Sequence, residues 1–175
     1  IYLVNGKLIS KSFNHEEKDK IFINNFDYKN EIILNRENTL NFLNNALAKD
    51  GFSLEVSKNY KFKKPLVIYN QLSNSLKETI LNNKNSIILN ENSELTLINL
   101  VDNASKENFM INTIEEIKLK KNSSLKSILI NNSKNNAYFY KYLKNDLEKK
   151  SNLENYILSS GLKLNKLDIE VNHIE

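Results

Sequence analysis

Thiolate chemistry is excluded at once, because the 175-residue chain contains no Cys and so offers no disulfide, thiolate metal site or Cys nucleophile. Its two histidines stand far apart. His15 lies in a charged run and reads as a solvated loop residue, and His173 reads as an exposed residue on the polar face of a terminal strand. Neither has a base, ligand or nucleophile at a telling spacing. P-loop, dinucleotide and nucleophile-elbow signatures need glycines at fixed intervals, and three glycines in the whole chain cannot supply them. No catalytic, cofactor-binding or metal-binding set is therefore assigned, and the chain reads as a non-enzyme.

Acids and aromatics leave two further chemical readings. Asp168 and Glu170 fall on one face of a strand with Lys166 beside them, an arrangement that a β-helical enzyme acting on acidic polysaccharide could use. Glu115 and Glu116 are the other acidic pair. Alternating charge on an exposed strand also keeps a sheet soluble, and that is the expected role. The run Tyr138 to Tyr142 could stack bases with Lys141 on phosphate. Alternation instead favours Tyr138, Tyr140 and Tyr142 as an aromatic ladder on one strand face. Lys58, Lys61, Lys63 and Lys64 read as a solvated turn. The net charge of +4 is spread along the chain, so no nucleic-acid partner is expected.

The elements that would position these residues are mostly strands. Asn5-Gly6 between two apolar runs predicts an N-terminal hairpin. Residues 10–20 read as a loop, with short strands at 21–26 and 31–34. Leu40, Leu43 and Leu47 have helical spacing, Asn38 or Thr39 can cap the start, and Asp50-Gly51 stops it, so one helix is predicted. Phe52, Leu54 and Val56 then alternate as a half-buried strand, and Pro65 leads into Leu-Val-Ile-Tyr, a continuous apolar run read as a buried strand.

From Ser86 the chain repeats itself. Asn92-Ser93 overlays Asn122-Ser123, while Ile87, Leu89 and Leu95 overlay Ile117, Leu119 and Leu125, an offset of 30 residues. Leu153 continues the series 28 residues after Leu125. Each unit is strand, polar turn, strand, which predicts a solenoid whose units bury their apolar faces on one another, with Asn side chains stacked in ladders. A sandwich of antiparallel strands is the competing architecture. Asn makes up roughly one residue in five, which biased codon usage in an AT-rich genome explains, with use in left-handed turns as the other reading. The alternation of Leu162, Leu164, Leu167, Ile169 and Val171 is still running near Glu175, and the chain opens on Ile1. Truncation inside a longer solenoid is expected, with self-association through the open end. No apolar run is long enough for a membrane helix and no leader opens the chain, so a soluble cytoplasmic protein without membrane contact is expected.

The stretch from Asn38 to Tyr69 resembles the signature of the SufB/SufD family. A Leu-Asn-x-Ala-Leu helix at Leu43, Asn44, Ala46 and Leu47 precedes Asp50-Gly51, a strand ending at Val56, and a strand led by Lys64-Pro65. The opening Val-Asn-Gly-Lys-Leu is similar to the SufD branch, and Ser159 to Val171 resembles a family motif with Lys166 in place of the usual Arg and Leu162 in place of a second Gly. The resemblance implies a right-handed parallel β-helix over residues 65–175, preceded by a small α/β portion over 1–64 carrying the single helix. It also implies a non-catalytic SufD-like scaffold in iron–sulfur cluster assembly, acting with SufB-like and SufC-like subunits. The SufB branch is the near alternative. Cluster and ATP would enter only through the full complex, the family's Cys and His ligands and ATPase contact lying beyond this stretch.

Overall fold

The computed structural model describes residues 1–13, 17–27, 32, 38–133 and 136–175. The expected loop residue His15 and most of the expected strand at 31–34 lie outside these. Strands make up 61 % of the chain and wind into a β-solenoid of about four turns with a single helix.

Two six-stranded sheets form its walls. The first contains β1 (Tyr2–Val4), β2 (Lys7–Ser10), β5 (Leu66–Leu72), β7 (Glu94–Asn103), β9 (Ser124–Asn132) and β11 (Asn152–Ser160), in the order β11-β9-β7-β5-β1-β2. The second contains β3 (Ile21–Asn25), β4 (Phe52–Val56), β6 (Thr79–Leu89), β8 (Phe109–Leu119), β10 (Ala137–Glu148) and β12 (Leu164–Ile174), in the order β12-β10-β8-β6-β4-β3. Successive rungs pair in parallel, and only β1/β2 and β3/β4 are antiparallel. The parallel ladders exclude the antiparallel sandwich. Ile87 pairs with Ile117, Leu95 with Leu125 and Leu125 with Leu153, the register the repeat predicted. The Asn5-Gly6 hairpin forms with both turn residues at positive φ, and β1 joins the first sheet beside β5.

A left-handed residue holds one corner of each rung, Asn on three of them and Lys150, at φ 60°, on the next. Asn59, Asn92 and Asn122 adopt φ of 62°, 58° and 58°, the left-handed region Asn tolerates. Their side chains stack: Asn122 Nδ2 donates to Asn92 Oδ1 at 2.9 Å, and Asn92 Nδ2 to Asn59 Oδ1 at 2.8 Å. Beside them Ser93 and Ser123 Oγ each donate to a carbonyl three residues back at 2.6 Å, closing the turn inside.

Inward-facing residues form two apolar clusters within the tube, one around Ile87, Leu95, Ile117 and Leu125, the other around Val101, Ile111, Leu129 and Phe139. β5 departs from the continuous burial expected of it. Leu66 and Ile68 point inward, whereas Val67 and Tyr69 are 40 % and 36 % exposed on the outer face. The same alternation crosses the first sheet, so two apolar rows lie outside. Tyr2, Tyr69, Leu100, Ile130 and Leu158 form one, in pairing register, and Val67, Ile98, Ile128 and Tyr156 form the other.

The helix α1 (Thr39–Leu47) lies against β6 and β8 of the second sheet, capped by Asn38, whose Oδ1 accepts from the Leu40 amide at 2.9 Å. Of its leucines only Leu40 packs on the sheet's buried tyrosines. Asn41 and Asn44 are buried, whereas Leu47 is 53 % exposed, because the helix docks by hydrogen bonds. Asn44 Nδ2 donates to the carbonyls of Asn83 and Asn112 at 3.0 and 2.7 Å, and Asn112 Nδ2 donates back to the Leu40 carbonyl at 2.7 Å. The following Gly51 runs so close to β6 that a Cβ there would lie 1.7 Å from the Lys84 carbonyl oxygen. Gly51→Ala should therefore cost about 3 kcal/mol or more, measured by urea unfolding. A loss below about 1 kcal/mol would show that β4 and β6 can separate freely.

Candidate functional site

The strongest concentration of polar groups lies inside the tube, between the two apolar clusters. Strand parity turns Asn83, Asn85, Thr113, Glu115 and Lys141 inward, with Asn83, Thr113 and Lys141 stacked on successive rungs of β6, β8 and β10. Lys141 Nζ donates to Glu115 Oε1 at 2.6 Å, both side chains being almost fully buried. Asn85 Nδ2 stands 3.4 Å from the other carboxylate oxygen, and its Oδ1 accepts from the Phe52 amide at 3.3 Å. Asn83 Oδ1 and Asn99 Oδ1 are buried without a partner among the described residues. A cavity of about 30 Å³ lies between them, room for one or two water-sized species.

This seam can hold small polar species, but its two charged groups neutralise each other. A buried carboxylate bonded to a buried ammonium is neither a free base nor a free acid. Lys141 thus sits on the opposite strand face from the tyrosines and cannot serve the phosphate-contact reading of the Tyr138 to Tyr142 run. Tyr138, Tyr140 and Tyr142 share one outer strand face as expected, and Leu40 of α1 with Phe26 and Ile32 covers Tyr140 and Tyr142, which are fully buried, while Tyr138 stays 38 % exposed.

The outer acids are likewise committed to partners. Tyr140 Oη donates to Asp168 Oδ2 at 2.9 Å, has Asn41 Oδ1 at 3.1 Å, and accepts from Asn38 Nδ2 at 2.9 Å. Tyr142 Oη donates to Glu170. Lys166 lies 3.4 Å from Asp168 and over the Tyr140 ring. Glu116, one residue from Glu115 but on the outer face, accepts from Lys118 and Lys144 at 2.8 and 3.3 Å. Asp168, Glu170 and Lys166 share one face as expected, yet they brace the tyrosine ladder and form no open acid–base pair. His173 is exposed, as expected, but pairs in register with Leu147 and shares parity with Ile169 and Val171, not with Glu170. Lys58 and Lys61 pair with Glu91 and Glu94 at an exposed corner. Among the described residues no group of three or more His, Cys, Asp or Glu could hold a metal ion, and no helix is long and apolar enough to cross a membrane.

Sequence reasoning missed the Glu115–Lys141 pair. The sequence shows only that Lys141 stands at an alternating position between the apolar Phe139 and Leu143; the register that places Glu115 beside it, one rung away, is set by the stacking of β10 on β8.

Two outcomes test these assignments. Lys141→Met leaves Glu115 buried and unpaired and should cost about 3–5 kcal/mol, while Lys141→Met with Glu115→Leu should return close to the parent in urea unfolding. Equal losses in single and double variants would mean the pair is not coupled. Burial first, then the hydrogen bond and charge of Asp168, hold the Tyr140 phenol well above its ordinary range. The folded state therefore keeps a proton that the unfolded chain releases near pH 10, so this contribution is intact below about pH 10 and is lost as pH rises above it. Tyr140→Phe should flatten the fall in stability on the alkaline side. An unchanged slope would assign the fall to other groups.

Comparison with known proteins gives one match. The family model described as SUF system FeS cluster assembly, SufBD core domain, matches residues 71–175, which is β6 through β12 together with the end of β5. No curated protein and no solved structure matches the chain. The matched region covers more than half of the sequence and coincides with the stacked rungs, and on that basis the chain belongs to the SufBD core family of the SUF iron–sulfur cluster assembly system.

Proposed function

We propose that this chain is a SufD-like, non-catalytic scaffold subunit that acts with SufB-like and SufC-like partners in the cytoplasm. The observation that carries the scaffold role is the fate of the charged residues. Glu115 is paired with Lys141, Glu116 with Lys118 and Lys144, and Asp168 with Tyr140 and Lys166, so the groups that could do acid–base work brace the solenoid. The Cys-free sequence brings no thiolate for a cluster or for sulfur transfer. The SufD branch is favoured by the Val-Asn-Gly-Lys-Leu opening, whose Asn5 side chain latches the hairpin to Ser73 with two hydrogen bonds of 2.9 Å. On this reading residues 1–64 close the end of the tube, and residues 65–175 are the rungs against which other subunits are placed.

Co-expression with the SUF subunits of the same genome tests the reading. The chain should co-purify with a SufB-like and a SufC-like protein and should bring no ATP turnover of its own. Anaerobic reconstitution of the chain alone with iron and sulfide should leave no stoichiometric visible absorption band. ATP hydrolysis by the isolated chain, or a band abolished by His173→Ala, would overturn the scaffold assignment, and pairing with a SufD-like partner instead would move it to the SufB branch.

A further inference from the structure

α1 covers the middle of the second sheet's outer face, over β6 and β8, and leaves the single outward row Ile80, Met110, Tyr138 and Leu164 partly exposed at one side, but no described element covers the outer face of the first. Its two apolar rows remain open to solvent, with Ile130 37 %, Tyr156 48 % and Leu158 59 % exposed. A solvated solenoid wall normally carries polar side chains on its outward positions, and a contiguous apolar patch marks a contact.

The shape of the patch selects its occupant. The rows run across the strands, along the tube axis. Five strands at about 4.8 Å spacing make the longer row about 19 Å, and the two rows stand about 6.6 Å apart. With side-chain width added the patch covers roughly 300 Å², well short of the ~800 Å² per partner that a stable dimer of two such chains would bury. One α-helix of about 16 residues is about 24 Å long, and its apolar stripe has the width of two adjacent rows. A second sheet would need apolar rows along the full strand length, whereas here polar positions flank the pair on both sides: Gln71, Asp102 and Asn132 on one, Thr96, Lys126 and Glu154 on the other.

Charge orients the helix. On one flank Glu154 is answered by Lys126 at 3.8 Å, and beyond it Glu94 by Lys61 at 3.6 Å. On the other, Asp102 accepts from Tyr69 Oη at 3.0 Å and has no ion-pair cation among the described residues. A basic side chain from an incoming helix would meet it at the patch edge.

We propose that this face docks a single amphipathic helix of a partner protein, laid along the tube axis with apolar residues at i, i+3, i+4 and i+7 spacing and a Lys or Arg facing Asp102. The patch is independent of the SufD assignment.

A synthetic peptide of about 18 residues with Leu at that spacing and Lys on one flank serves as the probe, with a scrambled peptide of equal composition as control. Fluorescence anisotropy against the 175-residue chain should show saturable binding of the patterned peptide only. Ile130→Lys and Leu158→Lys should each weaken it about tenfold or more, and Phe42→Lys, on the exposed side of α1, should leave it unchanged. Asp102→Lys should weaken the Lys-flanked peptide and strengthen a Glu-flanked one. All four positions face solvent, so circular dichroism should confirm folded variants, and Leu158→Lys on β11 reads the face if Ile130→Lys fails to fold. Equal binding of both peptides, or binding indifferent to Leu158→Lys and Asp102→Lys, overturns the proposal. So does a concentration-dependent dimer of the chain alone that Leu158→Lys abolishes in sedimentation, because the face would then belong to a second copy.

Discussion

The parallel backbone ladder between successive rungs is the constraint on which the rest of this molecule depends. Each rung must present its strands in register with the one before, so every residue inherits its direction, inward or outward, from its equivalent on the neighbouring rung. That is affordable only if every corner repeats. The Asn corner does so rigidly, with the left-handed residue at the same place in each turn. The opposite corner absorbs the changes in rung length. Val101, Asn131 and Ser159 are register equivalents, as are Met110, Tyr138 and Leu164, and the step between the two sets shrinks by two residues at each turn. Rungs therefore shorten from 30 to 28 to 26 residues without disturbing either sheet.

Once parity is set, the polar residues sort themselves into two different networks. Glu115 and Glu116 are adjacent, yet one lies in the seam of the tube with Lys141 and the other outside with Lys118 and Lys144. The inner pair is costly to desolvate and is retained only because each charge is met at hydrogen-bond distance. The outer side of the second sheet follows a different logic. Buried tyrosines need partners for their hydroxyls, and Asn38, Asn41 and Asp168 provide them for Tyr140. The helix is consequently held by amide-to-carbonyl and amide-to-hydroxyl bonds, which specify its position more sharply than a leucine stripe could.

These two networks commit the solenoid's buried charges and tyrosine hydroxyls to partners within it, in a chain that belongs to the SUF assembly family. Its walls differ: the middle of one is covered by the helix and tied through Tyr140 and Tyr142, and among the described residues nothing covers the two apolar rows along the other. A scaffold works through such faces. The asymmetry between the walls gives the molecule a defined outward side without any change in the interior.

Residue type and spacing alone carried the repeat, the Asn-Ser corners, the Asn5-Gly6 hairpin and the start of the helix, because each is a local property, whereas the helix ends at Leu47, with Ala48 as its cap, before the expected stop at Asp50-Gly51. The 30-residue offset between Asn92 and Asn122 is visible in the chain and reappears unchanged as a hydrogen bond between rungs. What lies across a rung was not legible. The helix showed its leucines at helical spacing, but which side it buries was decided by the carbonyls of Asn83 and Asn112, brought together from two different rungs. Leu-Val-Ile-Tyr looked buried throughout because a run of apolar residues carries no information about whether its second face is covered. Likewise, neither Lys141 nor Glu115 announces a partner in sequence. Only the stacking of β10 on β8 puts an ammonium beside a carboxylate, since the contact joins residues of matching parity on separate turns, and tertiary register alone fixes that parity.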